Sequence, residues 1–197
     1  MIVRHLGHID FDVIMKCFLS AFNNYYVKMP TDHGFYRQRW KASGVRLDLS
    51  YGMFHKDVLV GFIINAIDDR QSMLTAYNAG TGVIPEFRGQ RIVKAIYEYA
   101  IPDLLKNGIT KCQLEVITKN SKAIKSYEGI GFKTCKSYKC FNGAISAETE
   151  HDFKLKKVSF EDVIWDILPN QAYYSWDNQS KSLAQGDYKY YQIFGNN

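Results

Sequence analysis

Two stretches of the chain carry residue types whose spacing could do chemistry. Thr81 to Val93 reads TGVIPEFRGQRIV. Its pattern is a strand end, the polar turn Arg88-Gly89-Gln90-Arg91, and the start of an apolar-periodic helix. The first N–H groups of a helix have no partner within it, so such a turn is a ready anion site. Gly89 permits close approach of a phosphate, and Arg88 and Arg91 can add charge-assisted contacts. Taken alone, the same residues also suit a solvated basic loop. The second stretch, Leu114 to Phe132, reads LEVITKNSKAIKSYEGIGF. It offers a strand carboxylate at Glu115, a helix cap at Asn120 and a phenol at Tyr127. Each has an ordinary structural use too: Glu115 pairing a lysine or turn, Asn120 as a plain cap, Tyr127 as a ring filling a helix face. Gly80-Thr81-Gly82 lacks the third glycine of a dinucleotide fingerprint, and Pro85 intrudes.

The elements that would position these groups are legible in outline. A strand is expected over Ile2 to Leu6. Asp10 caps a helix with Ile14, Cys17, Phe18 and Ala21 on one face. Thr31 or Asp32 caps a second helix, which Gly44 ends. Strands Arg46 to Phe54 and Val58 to Ile67 flank a tight turn at His55-Lys56-Asp57. A strand from Met73 to Ile84 stops at Pro85. A helix follows from about Phe87 to Lys106, with Ile92, Val93, Ile96, Tyr99 and Ala100 facing the core and Pro102 set to kink or shorten it. The strand Lys111 to Ile117 completes a strand–helix–strand crossover, which favours parallel pairing. Along it, Gln113, Glu115 and Ile117 share one face, while Cys112 falls on the other. A further helix opens at Asn120 with Ala123, Ile124, Tyr127 and Ile130 on its apolar face. Phe132 then enters a last core strand running to about Phe141.

The 197 residues suffice for one domain with a small extension. With 46% hydrophobic and 23% charged residues, the composition excludes a disordered tail or a disulfide-stapled miniprotein. The net charge of +5 is mild for a dedicated nucleic-acid binder and suits a phosphate-bearing small molecule. Cys17, Cys112, Cys135 and Cys140 form no close pair, so a zinc site is not expected. Neither a signal peptide nor an apolar span of bilayer length is found, and the chain reads as cytoplasmic with reduced thiols, without a membrane partner.

Two segments together resemble the GNAT superfamily of acetyl-CoA-dependent N-acetyltransferases: V-x-P-x-x-R-G-Q from Val83 to Gln90, and L-E-V-x-x-x-N-x-x-A-I-x-x-Y-x-x-x-G-F from Leu114 to Phe132. The resemblance covers roughly residues 1–142. It implies an α/β fold with a mixed central sheet flanked by helices, and acetyl-CoA as co-substrate. It also implies that the pantetheine arm lies between two splayed strands near Val83 and Ile84. The pyrophosphate would sit on the amides of Arg88, Gly89, Gln90, Arg91, Ile92 and Val93, and Asn120 would contact the arm. Tyr127 would protonate the leaving thiolate. Arg91 and Val93 stand where the family usually has small residues.

Transfer to an amine also needs a proton acceptor. Glu115, twelve residues before Tyr127, stands where ribosomal-protein N-terminal acetyltransferases of the superfamily carry a proposed base. A backbone amide near Ile84 is the expected donor to the thioester oxygen. Tyr77 and Asn78 are candidates to face the acceptor. Lys122 and Lys125 could reach the ribose phosphate, or simply form a solvated helix face. The expectation is an N-acetyltransferase acting on a small-molecule or peptide amine, the alternative a non-catalytic acyl-CoA-binding or sensor module. Residues 143–197, rich in Trp and Tyr, form an extension. It resembles the opening of a second acetyltransferase-like half, a candidate homodimer edge or a wall of the acceptor cleft.

Overall fold

The computed structural model describes residues 1–141, 143–144, 154–169 and 173–194. Its first 128 residues run β1 (Ile2–His5), α1 (Phe11–Phe22), α2 (His33–Ser43), β2 (Tyr51–His55), β3 (Val58–Arg70), β4 (Met73–Val83), α3 (Ile92–Lys106), β5 (Lys111–Leu114) and α4 (Ser121–Glu128). The extension adds β6 (Lys154–Val158), α5 (Ser180–Gln185) and β7 (Tyr190–Phe194). One sheet of order β1-β2-β3-β4-β5 forms the centre. All its pairs are antiparallel except β4 with β5, the pair joined through α3.

Local chemistry sets the boundaries. The side chain of Asp10 accepts from the Asp12 amide and that of Asp32 from the Gly34 amide, capping α1 and α2. Gly44 ends α2 in the left-handed region at φ 80°. Two-residue turns at Lys56-Asp57 and Gln71-Ser72 join β2 to β3 and β3 to β4. All four residues have positive φ, as a turn matching the strands' right-handed twist requires.

Side chains sort onto the two faces of the sheet. On one, α1 and α2 bury Phe18, Tyr36 and Trp40 against Phe62 and Ile64. On the other, α3 buries Ile92, Ile96, Tyr97, Ala100 and Leu104 against Tyr51, Val60 and Ile63, with Tyr127 and Ile130 at the margin. Each large apolar side chain so removed from water contributes roughly 1.5–3 kcal/mol. Gly82 lets α1 come close: a Cβ there would lie 2.7 Å from both Ala21 Cβ and the Phe62 ring.

Strand β4 carries the irregularity that shapes the site. Asn65 pairs with Asn78 but Ile64 with Gly80, so Ala79 is an inserted bulge residue. Asn78 and Thr81, three apart, therefore share the α3 face. Pairing with β5 covers Thr75 to Asn78 and ends at the bulge, whereas pairing with β3 continues to Val83. Beyond Asn78, β4 has an open edge.

Several expectations are corrected. The 46–54 segment opens with a 3-10 turn, Leu47–Leu49, so the strand starts at Tyr51. Helix α3 starts at Ile92, because Gly89 and Arg91 in the turn before it have positive φ. It passes Pro102 and continues to Lys106. Tyr97, not Tyr99, faces the core, and Tyr99 is exposed. Strand β5 ends at Leu114, and Phe132 to Phe141 form no strand. The last strand, β7, pairs antiparallel with β6 in a separate two-stranded sheet. No described helix is long and apolar enough to cross a membrane.

Candidate active site

The gap between β4 and β5 gathers the residues singled out by chemistry. Ile84 donates its N–H to the Val60 carbonyl at 3.0 Å, so its amide is spent on β3. Antiparallel alternation then turns the polar backbone groups of Val83 toward the gap. The Val83 carbonyl accepts from Arg88 Nε at 3.1 Å, which fits that direction. The expected oxygen-binding amide near Ile84 is thus better met by Val83. Arg88 Nη2 also donates to the Ala21 carbonyl at 2.9 Å. Its guanidinium ties the turn to the end of α1 instead of extending toward a ligand.

The turn itself is a set of unpartnered donors. Among the described residues, the N–H groups of Gly89, Gln90, Arg91, Ile92, Val93 and Lys94 meet no protein acceptor; the ladder of α3 begins with Ala95 donating to Arg91. Gly89 has φ 77° with open space around its α-carbon, and Arg91 is left-handed at φ 56°, ψ 24°. The place where the resemblance expects a small residue keeps a glycine-type backbone while bearing an arginine. Consecutive free amides at a helix start and a positive dipole end suit a pyrophosphate. Gln90 and Arg91 are exposed, and Val93 is half-buried against the core.

Glu115 and Tyr127 lie at opposite faces of the gap. On the α1/α2 side, Glu115 Oε1 accepts from the Trp176 amide at 3.0 Å, and the Tyr77 hydroxyl is among the groups near its carboxyl. The protein packed around it raises the Glu115 pKa. Nearby Asp177 adds to this, while the Trp176 amide, the Tyr77 hydroxyl and Lys136 oppose it. On the α3/α4 side, Tyr127 is half-buried beside Phe132, with Thr81 among the groups near its hydroxyl. Burial raises its pKa and neighbouring Tyr25 adds to this, so the phenol keeps its proton at neutral pH. Asn78 Nδ2 donates to both Thr81 Oγ1 and the Tyr97 hydroxyl, the latter at 2.6 Å. A row of hydroxyls thus lines the inner wall behind Tyr127. Asn120 caps α4 through its Oδ1 and the Ala123 amide at 3.2 Å. Lys122 and Lys125 are exposed on α4. Of the earlier acceptor candidates, Tyr77 faces the Glu115 side and Asn78 the Tyr127 side.

Thr81, Tyr97 and Trp176 were not foreseen as parts of this site. The signal for the first two is the bulge at Ala79, which no local pattern marks. For Trp176 it is the Ser175-Trp176-Asp177-Asn178 turn, legible as a turn but not as to where it docks. No cluster of metal-ligating side chains occurs among the described residues.

Comparison with known proteins agrees with this geometry. A family model described as the acetyltransferase (GNAT) family matches residues 15–132. The chain belongs to that family, whose enzymes are acetyl-CoA-dependent acyltransferases. It is 30% identical over 84 residues to the N-alpha-acetyltransferase MAK3 of Arabidopsis thaliana, a match covering 43% of this chain and 44% of that protein. The chain thus spans less than half of that relative. An aminoglycoside acetyltransferase from an uncultured soil metagenomic sample, in complex with sisomicin, superposes with TM-score 0.56 at 11% identity, covering 74% of this chain and 96% of that one. The NatC complex bound to Gag peptide and CoA gives 0.54 at 23% identity, covering 68% and 86%. These two likenesses establish the mixed-sheet fold.

Proposed function

We propose that the chain is an N-acetyltransferase that moves an acetyl group from acetyl-CoA to a primary amine, with Glu115 as base and Tyr127 as acid. The observation that carries this is the placement of a carboxylate and a protonated phenol at opposite faces of one strand gap, beside six free amides. The amides from Gly89 to Lys94 would hold the pyrophosphate, and the Val83 N–H would bind the thioester oxygen. When bound, acetyl-CoA supplies an activated acyl carbon. Glu115 accepts a proton from the amine, whose lone pair forms the new C–N bond. As the C–S bond breaks, Tyr127 gives its proton to sulfur, and both residues exchange protons with solvent afterwards. The identity with an N-alpha-acetyltransferase makes a peptide α-amine the first acceptor to try, and small amines the second.

In this reading residues 1–142 are the transferase domain and 143–197 an appended segment. The partners are acetyl-CoA and the amine, in a cytoplasmic setting without nucleic acid. A homodimer through the extension is tested by sedimentation at two protein concentrations. Acetyl-CoA turnover over a panel of peptides and small amines tests the activity. Tyr127→Phe is expected to lower kcat by at least about a hundredfold while leaving the CoA Kd unchanged. An unchanged kcat would reject Tyr127 as the acid. Thermal stabilisation by CoA with no turnover on any amine would favour the binding-module alternative.

A further inference from the structure

The extension sinks a tryptophan into the domain to which it is appended. Trp176 is 1% exposed, although it lies 61 residues after Glu115. Its ring stacks on Tyr77 with centroids 4.8 Å apart and planes 4° from parallel. The Arg70 guanidinium lies 4.2 Å from the ring, and the indole N–H donates to the Ser43 carbonyl at 2.8 Å. The next residue, Asp177, accepts from Ser43 Oγ at 2.6 Å and from Arg39 at 3.0 Å. Arg70 is itself held by Gln179 and Ser182 of the same segment. Clamped on both sides, the Trp176 amide has little freedom, and it is this amide that holds Glu115 Oε1.

We propose that Trp176 is a positioning residue for Glu115, fixing the carboxyl at the acceptor face of the strand gap. The inference rests on the reading of Glu115 as the base. Glu115 follows the last residue of β5 and keeps exposed surface, so without the clamp it would sample several rotamers. A carboxylate has about four lone-pair sites, so one bond to an amide leaves room for the amine's proton. The groups that face this carboxyl are Tyr77 from β4, Asp177 and the Trp176 amide from the extension, and Lys136 from the segment after α4.

The experiment uses the full chain, with Trp176→Ala and the more conservative Trp176→Phe, an acceptor that the wild type acetylates, and CoA affinity as control. The expected result is CoA affinity within about twofold of wild type. For Trp176→Ala, kcat/KM falls by about tenfold or more and the acidic limb of its pH profile moves, as the groups around the Glu115 carboxyl rearrange. Trp176→Phe, which keeps the stack and loses the indole N–H, falls between. Added to Glu115→Gln, either substitution costs nothing further, because Trp176 acts through that carboxyl. An unmoved acidic limb, or losses that multiply with Glu115→Gln, would overturn the proposal. Should the wild type acetylate no amine, the activity reading fails, and the Glu115 carboxyl titration followed by NMR still decides the clamp. A shift in Trp176→Ala supports it, and an unchanged titration overturns it.

Discussion

Arg91 holds a backbone conformation that its own Cβ resists, and two substitutions separate that strain from its charge. At φ 56° and ψ 24° a non-glycine residue carries about 1–2 kcal/mol of steric cost. Glycine relieves it, but its added freedom in the unfolded chain returns about 0.5–1 kcal/mol. Arg91→Gly should therefore exceed Arg91→Ala in stability by about 0.5–1 kcal/mol. For a chain of this size that is a Tm higher by about 1–4 °C, read by calorimetry without ligand. Both variants lose the guanidinium. If it reaches the pyrophosphate, both should bind CoA about fivefold more weakly at low salt, a difference of about 1 kcal/mol that shrinks as salt is added. Should Arg91→Ala melt above Arg91→Gly, the left-handed turn is wrong. Should neither variant change CoA affinity or its salt dependence, the side chain has no part in holding the cofactor.

Glu115→Gln should abolish most turnover yet not destabilise the fold. Its folded pKa lies above the usual value, so the fold binds that proton more tightly than the unfolded chain, and stability is lost as pH rises past about 4.3. Paired melts should therefore favour the variant near pH 7 and converge below pH 4, and the opposite trend would refute the shift. Gly82→Ala should lower Tm by several degrees, because its Cβ would sit 2.7 Å from Ala21 and Phe62, an overpacking cost of about 1–3 kcal/mol. A neutral melt would show that α1 can retreat. Thiol titration of the native protein should label exposed Cys135 and Cys140 quickly. Half-buried Cys112 should follow more slowly; Cys17, buried and pushed up to about 12, should react only on unfolding, and a fourth equivalent in the native protein would contradict its burial.

What the sequence discloses and what it hides follow the range of each interaction. Asp10, Asp32, Gly44 and Asn120 mark helix ends correctly because a cap is satisfied within a few residues of itself. The two positive-φ positions that delay α3 to Ile92 are equally local, but an arginine does not advertise a left-handed backbone. Tyr97 and Tyr99 are equally plausible core residues by periodicity. What selects Tyr97 is the Asn78 amide, a hydroxyl partner supplied by a strand across the sheet. The order of strand, turn and helix was readable, and so was the candidate pair Glu115 and Tyr127. That the two lie on opposite faces depends on where β5 stops and on the tail that packs against it. The missing strand after Phe132 is of the same kind: whether such a segment pairs depends on a sheet edge outside its own residues, and 132–141 take no strand.

Ala79 separates two properties that a strand ordinarily keeps together. Removing it would preserve which way every neighbouring side chain points, since Asn78 and Gly80 already alternate once it is gone. The ladder would straighten, and the zipper between β4 and β5 would be free to run on past Asn78. A chain shortened by that single residue should still assemble its interior and yet be sealed where the proposed thioester would enter, so that foldedness and admission come apart at one alanine.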